Sequence, residues 1–334
     1  MKATRDWFGE ALIAAAETND KVVVVNCDLA SATRTQKFKF MFPDRFVECG
    51  IAEANAISIA AGLAQEGFRP FVASFAHFLT GKFLEIFQSV ALNNAGVVLV
   101  GTHAGLAIGK DGPTQMGLRD LAVMRSLHNV RIMQPADGRE TRQMLRYLTA
   151  STTPAYLRLC RQPTREVHTD DYAFAFGRVD VIRSGSGPVV FTMGGMVSVV
   201  LDAVELLPAA ARPSVINVSS LPAAPADVLA ALAGSSGHAL VVEDHFAKGG
   251  LTDEIARILV GYPGVSSFDS VSVTDFGQSG DPDDLYERYC LDRAGLARRF
   301  LALATIGDIV HDRPPQDSGY QGSRRDEPAP VRVP

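Results

Sequence analysis

The sequence predicts a doubly wound α/β fold in two parts, and three observations lead there. Short apolar, largely β-branched runs at residues 22–25 and 97–100 carry no polar residue. Such runs read as strands buried on both faces, as in a parallel sheet. Segments with helical spacing alternate with them, which is the βα rhythm of an open sheet covered by helices. The rhythm then breaks once, over residues 162–188, where Pro163, Pro188 and the stretch Ser184-Gly185-Ser186-Gly187 fall, and it resumes afterwards. This gives a first domain at residues 1–165, a linker at 166–188 and a second domain at 189–306.

The N-terminal segment reads as a helix, because Phe8, Leu12, Ala15 and Ala16 fall on one face. After the strand at 22–25, a small-residue helix is expected at 57–63, a strand at 97–100 and a helix at 116–126. A strand at 130–133, a helix at 138–148 and a strand at 156–159 complete the first domain. In the second, strands at 189–192, 214–217, 240–243 and 270–273 alternate with helices near 196–207, 226–233, 251–259 and 283–304. Residues 307–334 are rich in Pro, Ser, Arg and Asp, too polar to bury a core, and are expected to form a disordered tail.

Composition narrows the function. The 334 residues carry a formal net charge of −5, which argues against nucleic acid or an anionic membrane surface as a partner. Cysteines 27, 49, 160 and 290 form no CxxC pair, so neither a zinc ribbon nor a disulfide scaffold is expected. No apolar run is long enough to span a membrane, and the opening MKATRDWFGEAL lacks the apolar stretch of a secretion signal. The expectation is a reduced, soluble, cytoplasmic protein.

Three segments hold chemistry. In Gly50-Ile51-Ala52-Glu53-Ala54 a carboxylate sits among small apolar residues where strand gives way to helix. It is either a helix N-terminal glutamate favoured by the dipole or a desolvated acid able to share a proton with a ligand nitrogen. Phe75 and Phe78, three apart, are either core aromatics sharing a face of a helical turn or a slot for a planar heterocycle. The stretch from Gly101 to Gln115 holds His103, Asp111 and four glycines after a buried strand, a usual place for a ligand. Its Lys110-Asp111 pair excludes a Walker loop, and Cys27-Asp28 after the first strand excludes a dinucleotide fingerprint. Arg5, Arg158 and Arg161 each read alone as a surface charge or salt bridge. Together with His103 they suit a phosphate, because guanidinium geometry matches that oxyanion.

In this order the segments resemble the pyrimidine-binding and C-terminal domains of transketolases, above all the small subunit of split transketolases. The resemblance rests on Asp28-Leu29-Ala30-Ser31, Phe42-Pro43-Asp44-Arg45-Phe46, Gly50-Ile51-Ala52-Glu53 and Ala60-Ala61-Gly62-Leu63-Ala64. It continues in Thr102-His103-Ala104-Gly105, Asp111-Gly112-Pro113-Thr114-Gln115, Cys160-Arg161-Gln162 and Ala3-Thr4-Arg5. In the second domain Val242-Glu243-Asp244-His245, Gly249-Gly250-Leu251 and Phe276-Gly277-Gln278-Ser279-Gly280 also fit.

The resemblance implies thiamine diphosphate with Mg2+ (or Ca2+), and a cofactor lying between two kinds of domain. The GDG…N motif that holds the metal is missing here, so the diphosphate and metal are expected on a separate large subunit, with no metal ligand in this chain. An α2β2 assembly is implied, with this chain also contacting its own copy. Glu53 then matches the glutamate that bonds the aminopyrimidine ring nitrogen. Phe75, Phe78 and Asp28 match the cofactor surroundings. Asp111 and Gln115 match residues facing substrate hydroxyls, while Arg5, His103 and Arg161 match the sugar-phosphate group. Lys110 replaces a usual glutamate, Ala32 a phosphate-binding serine, and residues 84–87 a more polar segment.

The implied reaction moves a two-carbon glycolaldehyde unit from a ketose phosphate to an aldehyde, with Glu53 and His103 as catalytic groups. A specialised transketolase with an unusual sugar or carrier-bound acceptor is an alternative. So are the β-type subunit of a 2-oxo acid dehydrogenase and a non-catalytic paralogue. Residues 50–64 and 97–109 look too apolar for solvent, and are expected to be covered by a partner.

Overall fold

The computed structural model describes residues 1–233 and 235–304, so the expected tail at 307–334 lies outside the described residues. In chain order the strands of the first part are β1 (Lys2–Ala3), β2 (Val22–Asn26), β3 (Phe46–Glu48), β4 (Arg69–Phe75), β5 (Val98–Thr102), β6 (Arg131–Met133), β7 (Ala155–Arg158) and β8 (Pro163–Thr164). Those of the second are β9 (Asp180–Arg183), β10 (Val189–Thr192), β11 (Ser214–Asn217), β12 (Ser220–Leu221), β13 (His238–Phe246) and β14 (Ser267–Val273).

One sheet runs β12-β6-β7-β5-β4-β2-β3 and is parallel apart from β12. The other runs β14-β13-β10-β11-β9 and is parallel apart from β9. β12, from the second part of the chain, extends the first sheet. The two folding units therefore share an edge instead of meeting only through a linker.

Buried strands alternate between two cores, as side chains of period two must. Val22, Val24, Phe71, Ala73, Val98 and Val100 pack with the helices Thr4–Thr18 and Gly138–Ala150. Val25, Val72, Leu99 and Tyr156 face the other way, into a core that continues through Phe191, Ile216 and Val241 of the second sheet.

Several expectations change. The helix expected at 116–126 is only Asp120–Arg125, because Gly117 bridges back to Ala104 and Gly105. The helix expected at 283–304 is two, Pro282–Arg288 and Arg293–Ala304. Cys290 takes φ 55° between them, and Asp292 accepts from the backbone N–H groups of Ala294 and Gly295 at 3.0 and 3.1 Å to start the second. Within the expected linker, Asp180–Arg183 pairs with β11 as an edge strand. The stretch 97–109 is buried by this chain itself and needs no partner to cover it.

Candidate active site

From β2 the chain goes to β3 on one side and then to β4 on the other. The crevice beyond the carboxyl ends at such a reversal is where an open α/β sheet takes its ligand. Asp28, Glu53 and His103 follow β2, β3 and β5 respectively, and Phe75 is the last residue of β4, all at that end.

Glu53 opens the helix Glu53–Gln65 and is 7% exposed. Ser74, the penultimate residue of β4, donates from Oγ to Glu53 Oε1 at 2.9 Å. Phe75 and Phe78 do not share a helical face: Phe75 is still extended, ahead of the turn Ala76–Thr80 that carries Phe78. Their rings nonetheless stack, with centroids 5.4 Å apart and planes 17° apart. The His103 ring lies 4.1 Å from that of Phe75.

His103 takes a left-handed backbone, φ 55°. Arg5 Nη1 lies 2.6 Å from its Nε2, and Thr102 Oγ1 lies 2.9 Å from its Nδ1. Because a guanidinium only donates, Nε2 must accept and Nδ1 must carry the proton. Nδ1–H then donates to Thr102 Oγ1, which donates on to the Ser74 carbonyl at 3.3 Å. A hydrogen-bonded path thus joins Arg5, His103, Thr102 and Ser74, the residue that holds Glu53.

Burial pushes the His103 pKa down to about 3, with Arg5, Arg161 and Arg34 adding to the effect. The imidazole is neutral in a positive field. Arg5 also donates to the Ala32 carbonyl at 3.1 Å, while its buried Nε has no partner. Burial and then Arg34 lower the Arg5 pKa. Arg161 donates to the Ile108 carbonyl at 3.2 Å. The β1–β8 pairing brings Arg5 and Arg161 to the same place, and the Cys160 N–H secures it by donating to Thr4 Oγ1 at 3.0 Å.

The other expected residues stand apart. Asp28 is exposed with φ 56°, and its N–H donates to Glu48 Oε1 at 2.8 Å. Asp111 is exposed and Gln115 half-buried. Among the described residues, no side-chain hydrogen bond or ring contact ties Asp28, Asp111 or Gln115 to Glu53, Phe75 or His103.

Sequence reasoning missed Ser74, Thr102, Arg34 and Glu48. The available signal for Ser74 was a lone hydroxyl in the apolar strand before Phe75. It also missed how the second domain holds the loop after His103. Asp244 Oδ1 accepts from the Leu106 N–H at 2.9 Å, and Tyr286 donates to Oδ2 at 2.5 Å. Gly105, φ 81°, is required there, because a Cβ would overlap the Asp244 carboxylate.

Two largely parallel sheets of this topology, with a crevice at the carboxyl ends of the first, define an open α/β class of protein. The model for "Transketolase, pyrimidine binding domain" matches residues 1–166, and that for "Transketolase, C-terminal domain" matches residues 177–296. The chain belongs to the transketolase family.

It is 30% identical to the putative transketolase C-terminal section of Methanocaldococcus jannaschii, over 90% of this chain and 96% of that protein. It is 31% identical to human transketolase over 91% of this chain and 49% of that one. The chain thus spans about half the length of the full transketolases it matches. A solved structure described as "Split gene transketolase, inactive beta4 tetramer" aligns with a TM-score of 0.81 at 31% identity, over 91% of this chain and 100% of that one. Similarity extends to 1-deoxy-D-xylulose-5-phosphate synthase of Chlorobium luteolum, 33% identical over 87% of this chain and 46% of that one. Among the described residues, no helix is long and apolar enough to cross a membrane.

Proposed function

We propose that this chain is the pyrimidine-binding subunit of a two-component, thiamine-diphosphate-dependent transketolase. It would act in the cytoplasm, in an α2β2 assembly with a large subunit that holds the diphosphate and Mg2+ (or Ca2+). The reaction is transfer of a glycolaldehyde unit from a ketose phosphate to an aldehyde. The observation that carries this reading is one constellation. A nearly buried Glu53 and the stacked Phe75–Phe78 pair are joined through Ser74 and Thr102 to His103 and the two arginines.

The residues present fit the cofactor's ring. Glu53 spends one oxygen on Ser74 and keeps the other for a ring nitrogen, and the half-buried Phe78 offers a flat apolar face. When bound, thiamine diphosphate supplies the nucleophilic carbon that amino-acid side chains lack. The chain's own residues do the rest. Glu53 shares a proton with the pyrimidine nitrogen. Neutral His103 accepts from Arg5 on Nε2 without repelling the arginines, and so sets that guanidinium toward the substrate phosphate. Arg5 and Arg161 bind the phosphate, with the unpartnered Arg5 Nε supplying a spare donor. Exposed Ile51 and Leu84, 86% and 57% accessible, mark the face on which a second chain would sit.

Calorimetry tests the split site. Thiamine diphosphate with Mg2+ should bind only when a candidate large subunit is mixed with this chain; tight binding by this chain alone would refute the arrangement. In the mixture, Glu53→Gln should lower ketose-phosphate turnover by about 100- to 10,000-fold without moving the melting temperature, and unchanged turnover would remove Glu53 from catalysis. The similarity to the C. luteolum enzyme favours one second reading. Formation of 1-deoxy-D-xylulose 5-phosphate by the reconstituted pair, with no ketol transfer, would select it.

A further inference from the structure

A second cluster of ionisable groups lies where the helix Gly138–Ala150, the segment after β8 and strands β9 and β11 converge. Asp137 caps that helix, accepting the Glu140 N–H at 2.8 Å on Oδ1. Its Oδ2 accepts the backbone N–H groups of Val167 and His168, both at 2.8 Å, and lies 2.9 Å from His168 Nδ1. With a carboxylate as partner, Nδ1 carries a proton and donates it. Nε2 is left buried with no hydrogen-bond partner, 3.9 Å from Glu140 Oε1.

Glu140 is fully buried. Its Oε2 accepts the Ala136 N–H at 2.7 Å, and Asn217 Nδ2 lies 3.2 Å from both oxygens. The Tyr172 hydroxyl sits between two carboxylates, 2.8 Å from Glu140 Oε1 and 3.2 Å from Asp180 Oδ2. One ligand atom each from Glu140, His168 and Asp180 lies within 4.8 Å of the others. Asn217 Oδ1, on the amide that serves Glu140, is also buried without a partner.

We propose that Glu140, His168 and Asp180 form a binding site for a divalent transition-metal cation, with Zn2+ the best fit. The decisive feature is the imidazole. A histidine whose Nδ1–H is held by a carboxylate, with Nε2 free and aimed at further carboxylates, has the arrangement that orients metal-ligating histidines. A buried water could satisfy Nε2, but it would not offset the charge. Three carboxyl groups, Asp137, Glu140 and Asp180, face one guanidinium, that of Arg178, which lies 2.9 Å from Asp180 Oδ1 and is itself half exposed.

A donor set of one imidazole nitrogen and two carboxylate oxygens suits Zn2+ and Co2+, whereas Mg2+ and Ca2+ prefer oxygen alone. An ion here would break at least one of the Tyr172 hydrogen bonds. It would enter past Asp180, whose side chain is 13% exposed, and would tie the helix to the segment after β8 and to the edge strand β9.

The test is equilibrium dialysis of the chelator-treated, full-length chain against Zn2+ in excess Mg2+, with Co2+ as a spectroscopic substitute. One Zn2+ per chain is expected, with Co2+ absorption bands of an N/O site and a melting temperature raised by Zn2+. Asp180→Asn, on an edge strand, and His168→Gln should each weaken binding by about 10-fold or more, while Cys290→Ser, which removes an exposed thiol, should not. No stoichiometric binding, or equal binding in Asp180→Asn, overturns the site. Should His168→Gln fail to fold, Asp180→Asn still decides.

Discussion

Two clusters of buried and half-buried charge flank Ala104, and they differ in one respect. At the joint between the domains, every guanidinium nitrogen of Arg158 is hydrogen-bonded. Nε reaches Asp120 Oδ2 at 2.8 Å, Nη1 reaches Gln134 Oε1 at 3.1 Å, and Nη2 reaches the carbonyls of Gly117 and Asp244 at 2.9 and 3.0 Å. Burial alone would raise the Asp120 pKa, but Arg158 and His245 outweigh it and hold it below its usual range. At the rim, Arg5 has an orphaned Nε and the nearby arginines reinforce burial in depressing His103. Among the described residues, the only acid bonded to the rim arginines is Asp6, 2.6 Å from Arg34 Nε. The joint pairs its guanidinium with a buried carboxylate, whereas among the described residues Arg5 and Arg161 donate to backbone carbonyls and to no carboxylate. A paired cluster of this kind holds a fold together; under the proposed function the unpaired one would take the substrate phosphate.

The largest effect should come from breaking the paired cluster. Arg158→Met leaves Asp120 buried without its counter-charge, which costs about 3–5 kcal/mol. Urea unfolding would show it, and the double variant Arg158→Met with Asp120→Leu should recover much of the loss. A loss below about 1 kcal/mol would place the pair with exposed ion pairs and erase the contrast.

The rim should respond in binding. Arg161 is exposed, so Arg161→Ala should change stability by no more than about 0.5 kcal/mol. In the reconstituted enzyme its KM for a ketose phosphate should rise by about 10- to 100-fold, the worth of a charged hydrogen bond, with kcat little changed. An equal rise for an unphosphorylated donor would mean that Arg161 does not read the phosphate.

The same contrast explains what the sequence could and could not reveal. Strands β10 and β11 and the helix Leu251–Leu259 fall where local patterning placed them, since each is a short apolar or amphipathic run bounded by breakers. β4 was obscured because Phe75 and Phe78 invited a helical spacing argument, although Arg69–Ala73 pairs with β2 and Phe71–Phe75 with β5. Glu53, His103, Arg5 and Arg161 could be picked as residues from motif and residue chemistry. Their linkage through Ser74 and Thr102 could not, because it depends on side chains from β4 and β5 meeting across the sheet. Arg158 read as an ordinary surface charge or salt bridge for the same reason: its partner Asp120 is 38 residues away, and only the packed domains bury the pair.

The smallest effect is the sharpest probe of the unpaired cluster. His103 has a folded pKa of about 3, below the ordinary value of 6.5. The unfolded chain therefore binds more protons on acidification, and this group withdraws stability as pH falls from about 6.5 toward 3, contributing nothing above that window. In the native protein, the imidazole C2 proton signal of His103 should be flat between pH 8 and pH 5. Adding inorganic phosphate should raise the pKa, because an anion offsets the fields of Arg5, Arg161 and Arg34. The rise should be partial, because the largest cause, burial, remains. A free-protein titration near 6.5 would mean that His103 is not buried beside the arginines. A pKa unmoved by phosphate would mean that they converge without forming an anion site.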